Sequence, residues 1–213
     1  LGHLQIVLFK ERLTMCGQYS FLENKKALLE RYAGTELDSN LPEDEREVYY
    51  PSQNNLILLP NNKFYAIKWG FTPSFAKRPL INARLESILE KQTFIEPFKR
   101  KRCLIPATSF YEFKEVDSQE KKERWQIAVA GLDIFSIAGI CERYENDDGS
   151  STLTYSMLTK DSEGPMADIH HRVPVILNKQ TEREYLNLNT DPNQLQETLL
   201  TLSIDLTFKQ VTN

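Results

Sequence analysis

The protein has 213 residues, of which 40% are hydrophobic, 26% charged and 10% aromatic. These fractions are typical of a globular chain with one sizeable core, and they exclude a disordered, collagen-like or low-complexity protein. The 26 Lys and Arg against 30 Asp and Glu give a net charge of −4, so bulk charge does not indicate a nucleic-acid partner. Three cysteines are too few for a disulfide scaffold, which predicts a cytoplasmic protein. No apolar run approaches the roughly 20 residues of a membrane span, so we expect no membrane segment.

Strands dominate the predicted elements, because short runs of β-branched and aromatic residues recur between polar segments. In chain order we predict a helix at 24–32, strands at 56–59 and 63–69, helices at 83–91 and 93–100, strands at 103–106, 109–114, 125–130, 134–143, 153–159 and 174–177, and a helix at 191–200. Strands and helices do not alternate regularly. We therefore predict an α+β fold, a single domain built on a curved, barrel-like, mainly antiparallel β-sheet with flanking helices.

The start of the chain carries an unusual cysteine. The chain opens Leu-Gly-His, and Met15 is its first methionine. We expect residues 1–14 to be a leader, an upstream translation or a cloning remnant, and residues 15–213 to form the single domain. If the preceding residues are removed, Cys16 carries an α-amine and a thiol on adjacent carbons. The α-amine titrates near 7.7–8.0, so this aminothiol can attack an aldehyde and close a thiazolidine ring. An internal cysteine, more often a small buried hydrophobe, cannot.

Three further segments place polar residues beside apolar or aromatic ones, and each has a structural and a functional interpretation. Asn82 and Arg84 fit either a helix start with a solvated arginine or an amide that orients a reacting group beside a phosphate-holding guanidinium. Glu112 lies in an aromatic strand, either at an edge or buried with a raised pKa. His170 is a structural residue or a general acid–base. Its neighbour His171 points to the opposite face of an extended chain, and no zinc-binding spacing occurs, so we expect no metal.

Four segments in this order resemble the SRAP (SOS-response-associated peptidase) family: 15–19, 81–87, 102–113 and 168–174. The resemblance extends from Met15 to about Tyr185 and includes the Trp69-Gly70 motif. It implies an SRAP-like fold and a protein that finds abasic sites in single-stranded DNA and cross-links to them, as part of the DNA damage (SOS) response. It also implies self-cleavage that exposes the cysteine, and lyase-like activity. We expect no cofactor, a monomer, and association with the nucleoid when DNA is bound.

The resemblance also implies a role for individual residues. Cys16 would be the nucleophile through its amine and thiol, and Asn82 would position the sugar and the amine. Glu112 would accept a proton from the amine, and His170 would donate one to the sugar ring oxygen. The residues expected to contact DNA are Arg84, Trp69, Phe113, Arg172 and Lys77.

The chain departs from the family pattern at several positions. Gln18 stands where an arginine is usual, and His171 where an aspartate is usual. Phe75 and Phe113 each replace a tryptophan, although a phenylalanine still offers a face for base stacking.

Two alternatives remain open. The first is a cysteine-dependent (auto)peptidase that uses Cys16 with His170. The second is a non-covalent single-stranded DNA-binding module that uses aromatic side chains and the basic run at 99–102.

Overall fold

The computed structural model describes residues 16–41, 46–116, 122–146 and 148–212, so the predicted leader lies outside the described residues. The helices are α1 (Lys25–Arg31), α2 (Gln92–Arg100), α3 (Lys179–Leu186) and α4 (Pro192–Thr201). The strands are β1 (Tyr19–Ser20), β2 (Glu36–Leu37), β3 (Val48–Tyr49), β4 (Asn54–Leu59), β5 (Lys63–Trp69), β6 (Asn82–Arg84), β7 (Arg102–Ala107), β8 (Ser109–Glu115), β9 (Lys122–Val129), β10 (Phe135–Glu145), β11 (Ser151–Asp161), β12 (Arg172–Pro174), β13 (Ile176–Leu177) and β14 (Leu206–Val211).

Five of these strands close a barrel. Antiparallel pairing runs from β11 through β10, β7 and β4 to β5, and β5 returns to β11 in parallel. Closure leaves these strands without an unpaired edge along that circuit. The barrel strands carry fully buried apolar side chains such as Ile105, Ile137 and Leu158. The predicted α+β fold with a barrel-like, mainly antiparallel sheet is therefore confirmed.

A second, smaller sheet lies beside the barrel, with the strand order β14-β9-β8-β1-β3. In this sheet Tyr19 of β1 is paired with Phe110 of β8, and Glu112 of β8 with Trp125 of β9. The amide of Tyr111 also donates to the carbonyl of Gln18 at 3.0 Å. These pairings bring the start of β1, and hence Cys16, alongside the middle of β8.

Two short strands flank the end of β11. Residue Asn82 of β6 is in parallel register with Met157, and Arg172 of β12 is antiparallel to Asp161. The predicted helix at 83–91 is therefore wrong: a strand is followed by a single 3₁₀ turn, Leu85–Ser87. Pairing with β11 and burial of the apolar side chains in this segment outweigh its local helical pattern.

The other predicted elements are observed. Each predicted strand overlaps an observed one, and the helices predicted at 24–32, 93–100 and 191–200 are α1, α2 and α4. Asn24 caps α1 by accepting the amide of Ala27 at 3.0 Å. The prediction missed β1, β2, β3, α3 and β14, most of which are short strands defined by their partners. Within the part of the chain that the structure describes, no helix combines the length and apolar character needed to cross a membrane.

Candidate functional site

The first element of the site is a direct contact between Cys16 and Glu112. Cys16 lies in the turn before β1 with a left-handed φ of +46° and is 1% exposed. Its backbone N–H donates to Oε1 of Glu112 at 2.7 Å, and Glu112 is itself 4% exposed. One buried carboxylate therefore rests on the nitrogen that becomes the α-amine whenever Cys16 is the first residue.

Burial also sets the proton affinities of this pair. It raises the pKa of Glu112 to about 7, against the hydrogen bonds that Cys16 donates to the carboxylate. Burial, reinforced by the negative charge of Glu112, raises the pKa of the Cys16 thiol well above its usual value. A carboxyl group with a pKa near 7 can accept and return a proton at physiological pH, as a general base requires.

A cleft of about 460 Å³ opens beside Glu112. This volume lies within the range of small-ligand sites. The cleft is lined by residues from the start of β1, from β8 and β9, and from the segment before β12: Gly17, Gln18, Tyr111, Glu112, Phe113, Lys114, Glu115, Lys122, Ala167, Asp168, Ile169, His170 and His171. Glu112 and His170, predicted from segments far apart in the sequence, thus line one cavity.

The ring of His170 is held in a defined orientation. Its Nδ1 lies 3.1 Å from the backbone nitrogen and 3.2 Å from the carbonyl oxygen of Arg172, so the backbone of Arg172 fixes the ring. Partial burial lowers the pKa of His170, which favours the neutral ring at pH 7. The ring of His171 packs against it at 4.5 Å between centroids. Among the described residues, no hydrogen bond joins His170 to Cys16 or to Glu112.

The predicted DNA contact Trp69 lies in the core. It is fully buried, its ring stacks on Tyr155, and Nε1–H donates to the carbonyl of Ile81 at 2.9 Å. This bond anchors the residue immediately before Asn82. The next residue, Gly70, has a φ of +112°, and a Cβ there would meet Pro79 at 2.7 Å, so only glycine fits. The structure therefore places Trp69 behind the site rather than on a surface that a base could reach.

Arg172 is likewise a buried structural cation. It is 2% exposed, and both terminal nitrogens donate to the Glu86 carboxylate at 2.8 Å. A further ion pair joins it to Asp161. With its guanidinium committed to two carboxylates, Arg172 ties β12 to the 3₁₀ turn and to the end of β11, which corrects its predicted role as a DNA contact.

The remaining predicted contacts differ in exposure. Arg84 and Lys77 are exposed, whereas Asn82 is half-buried on β6. Phe113 is half-buried in the cleft wall.

The predicted basic run at 99–102 is not one continuous surface. Arg102 is fully buried and donates to the backbone carbonyls of Phe98, Tyr185 and Asn187. Lys101 is paired with Glu142. The run therefore offers fewer free cations than its sequence indicates.

Two residues of the site were missed from the sequence. Glu86 holds Arg172 across 86 positions, and no local pattern could have paired them. Arg124 lies opposite Phe113 on β9 and donates to the Gln18 side chain at 3.2 Å. The predicted strands 109–114 and 125–130 already suggested a hairpin, and extending its register by one residue would have placed Arg124 there.

The chain is similar in sequence and in fold to known proteins. The sequence profile of the family described as SOS response associated peptidase (SRAP) matches residues 15–213. The chain is 36% identical over 197 residues to the abasic site processing protein YoqW of Bacillus subtilis, covering 87% of this chain and 86% of that protein. It is 36% identical over 203 residues to YobE of the same organism, also named an abasic site processing protein, covering 90% and 91%. A crystal structure of a protein from Bacteroides thetaiotaomicron matches with a TM-score of 0.81 and 26% identity, covering 93% of each chain.

Proposed function

The chain belongs to the SOS response associated peptidase (SRAP) family, and on this premise we propose that it senses abasic sites in single-stranded DNA and shields them by a covalent cross-link through Cys16. Its relatives are named abasic site processing proteins. The ring-opened form of an abasic sugar is an aldehyde, which is the electrophile that an N-terminal aminothiol attacks. The reaction requires Cys16 to be the first residue, because only then does its nitrogen have a free lone pair.

The first chemical step is opening of the sugar ring. His170 lines the cleft, and its Nδ1 lies against the backbone of Arg172, which leaves Nε2 for the sugar. In the proposed step the protonated form of His170 gives its Nε2 proton to the ring oxygen of the sugar and becomes neutral. The bond from that oxygen to C1′ breaks, and the 1′-hydroxyl loses its proton to water, so that C1′ becomes the aldehyde carbon. This is general acid catalysis by a positioned imidazole.

The second step joins protein and DNA. The α-amine of Cys16 attacks C1′ while Glu112, 2.7 Å from that nitrogen, takes the proton. Loss of one water gives the imine, and the thiol then adds across it, sulfur to carbon and hydrogen to nitrogen. The product is a five-membered thiazolidine. Burial raises the pKa of Glu112 to about 7, so this carboxyl group can take up the proton and release it again at physiological pH.

The remaining site residues bind and orient the DNA in this proposal. Asn82, half-buried on β6, positions the sugar, and exposed Arg84 two residues later holds a phosphate. Phe113 in the cleft wall offers a ring for stacking, and Lys77 lies on the exposed loop before β6.

The observation that carries the proposal is the contact from the Cys16 nitrogen to a buried carboxylate whose pKa is near neutrality. A thiol peptidase would instead need an imidazole beside the thiol. The described residues show Glu112 in that position, whereas His170 makes no hydrogen bond to Cys16.

The test uses protein that begins at Cys16, with loss of Met15 confirmed by intact mass. It is mixed with single-stranded DNA that contains one abasic site, and the products are separated under denaturing conditions. We expect a heat-stable adduct with damaged DNA and none with undamaged DNA. Cys16→Ala should abolish it, because ring closure needs the thiol, whereas Cys141→Ala, a matched change at a buried cysteine in β10, should not.

Each alternative has its own result. Cleavage of a peptide other than the protein's own leader, without an adduct, would favour a peptidase. DNA binding that persists in Cys16→Ala, with no adduct from the wild type, would favour a non-covalent binding module. The absence of an adduct with a verified N-terminal Cys16 would contradict the proposal.

A further inference from the structure

Arg124 occupies an unusual position next to the cleft. It lies on β9 opposite Phe113, and its guanidinium carbon is 4.1 Å from the centroid of the Tyr111 ring. One terminal nitrogen donates to Oε1 of Gln18 at 3.2 Å. Three residues that line the cleft, Gln18, Tyr111 and Phe113, therefore surround a single arginine side chain.

The described contacts of Arg124 leave its charge uncompensated. Within the described ranges no carboxylate lies within 4 Å of it, and Nε is buried without a hydrogen-bond partner. Arg31 and Arg172 show the contrast, since each is bound to a carboxylate by both terminal nitrogens. A neutral amide oxygen satisfies only one of the five N–H groups of a guanidinium. Arg124 is thus oriented by stacking and one hydrogen bond, with donors left for an anion.

The location of this cation defines the anion it could hold. Gln18, Tyr111 and Phe113 line the same cleft as Glu112 and His170, so Arg124 borders the cleft in which the proposed reaction takes place. A guanidinium presents paired N–H groups that match two oxygens of a phosphate, and stacking on a ring reduces the entropy lost when it binds.

From this arrangement we infer that Arg124 is a positioning residue that binds a backbone phosphate next to the abasic sugar. The inference rests on the proposed function, because it assigns a contact to the same DNA strand. Gln18 acts with it as an acceptor that orients the guanidinium. The phosphate contact fixes the strand, and hence C1′, relative to the Cys16 nitrogen.

Arg124→Gln tests the proposed phosphate contact. Exchange of the Gln18 and Arg124 side chains distinguishes phosphate binding from packing. Since the Gln18 side chain is 3.2 Å from the guanidinium, the double variant Gln18→Arg/Arg124→Gln returns a guanidinium to nearly the same place. The matched control is Arg143→Gln, an exposed arginine bonded to Ser151 at the far end of the β10–β11 hairpin. All proteins begin at Cys16, and circular dichroism and thermal unfolding confirm that each is folded.

With sub-saturating abasic single-stranded DNA, we expect Arg124→Gln to form the adduct about tenfold more slowly, the loss typical of a hydrogen bond to a charged group. With free 2-deoxyribose, which has no phosphate, Arg124→Gln and the wild type should react at equal rates. The slope of log affinity against log salt for single-stranded DNA should decrease by about 0.7, the value for one phosphate contact. The exchange variant should recover both rate and slope, and Arg143→Gln should match the wild type.

The outcomes distinguish this inference from the proposed function. If the wild type forms the adduct and Arg124→Gln reacts at the same rate with an unchanged salt slope, Arg124 only packs against Tyr111 and the inference is overturned. The inference is also overturned if Arg124→Gln forms the adduct slowly and the double variant Gln18→Arg/Arg124→Gln is equally slow. If the wild type forms no adduct, the proposed function fails, and the salt slope for undamaged single-stranded DNA still decides whether Arg124 binds a phosphate.

Discussion

Replacement of Glu112 by glutamine is expected to stabilise the fold at alkaline pH even though it removes the proposed base. Burial raises the pKa of Glu112 from 4.5 to about 7, so between these pH values the native protein binds more protons than the unfolded chain. Stability therefore falls as pH rises through this window and is constant above it. Since each pKa unit corresponds to about 1.4 kcal/mol, the ionised side chain costs the fold about 3 kcal/mol at pH 8. Glutamine carries no charge and keeps an oxygen that can accept the Cys16 N–H.

Urea unfolding at a series of pH values measures this cost. The protein used keeps the peptide bond between Met15 and Cys16, which intact mass confirms. The difference in unfolding free energy between Glu112→Gln and wild type should be near zero at pH 4 and about 3 kcal/mol in favour of the variant at pH 8. Glu115→Gln is the matched control on the same strand, since Glu115 is 83% exposed in its pair with Lys122, and a surface pair contributes less than about 1 kcal/mol. A variant that is less stable than the wild type at pH 8, or a difference that does not change with pH, would refute the argument from burial.

Three further substitutions, at Arg172, Gly139 and His170, test the packing of the fold and the role of the histidine. Arg172→Met should lower the unfolding free energy by about 3 kcal/mol, measured by urea unfolding, because it leaves the Glu86 carboxylate without its partner; a loss below 1 kcal/mol would show that solvent satisfies Glu86. Gly139→Ala places a Cβ 2.8 Å from the Cys103 sulfur and should cost about 1–3 kcal/mol, with part recovered in Gly139→Ala/Cys103→Ala; an unchanged melting temperature would contradict this. His170→Asn should slow adduct formation with abasic DNA by about 10²-fold or more, and a rate within twofold of the wild type would remove His170 from the mechanism.

The strands of this fold could be predicted because their local composition agrees with their final environment. Residues 56–59 are entirely apolar, and residues 63–69 are mostly apolar or aromatic after the Asn61-Asn62 turn; both are observed as strands of one hairpin. The segment 83–91 was predicted wrongly for the opposite reason. Its helical spacing is real, but parallel pairing with β11 and burial of Ala83 and Leu85 depend on residues more than 70 positions away in the sequence.

The site was predictable in its residue types and less so in their environments. A cysteine, a glutamate and a histidine could be chosen from chemistry, and the structure places Glu112 against Cys16 and His170 in the same cleft. The solvent exposure of individual side chains was predicted less well, because Trp69 and Arg172 have the chemistry of DNA contacts but lie in the core. Burial of a large side chain depends on which elements cover it, and covering elements are set by tertiary contacts that a single sequence does not display.

The site also shows why buried residues behind the cleft bear on the reaction. Glu112 belongs to the smaller sheet and Cys16 lies in the turn before its β1, whereas Asn82 lies on a strand paired with the barrel and His170 lies two residues before another. In the proposed reaction the nucleophile and the acid therefore meet the sugar correctly only if these two parts of the fold keep their relative positions. Trp69 holds the residue before Asn82, and Arg172 joins Glu86 to β12 two residues after His170. Because a misplacement of about 1 Å can cost about 10²-fold in rate, we expect these two side chains to govern the geometry of the proposed reaction without touching the DNA.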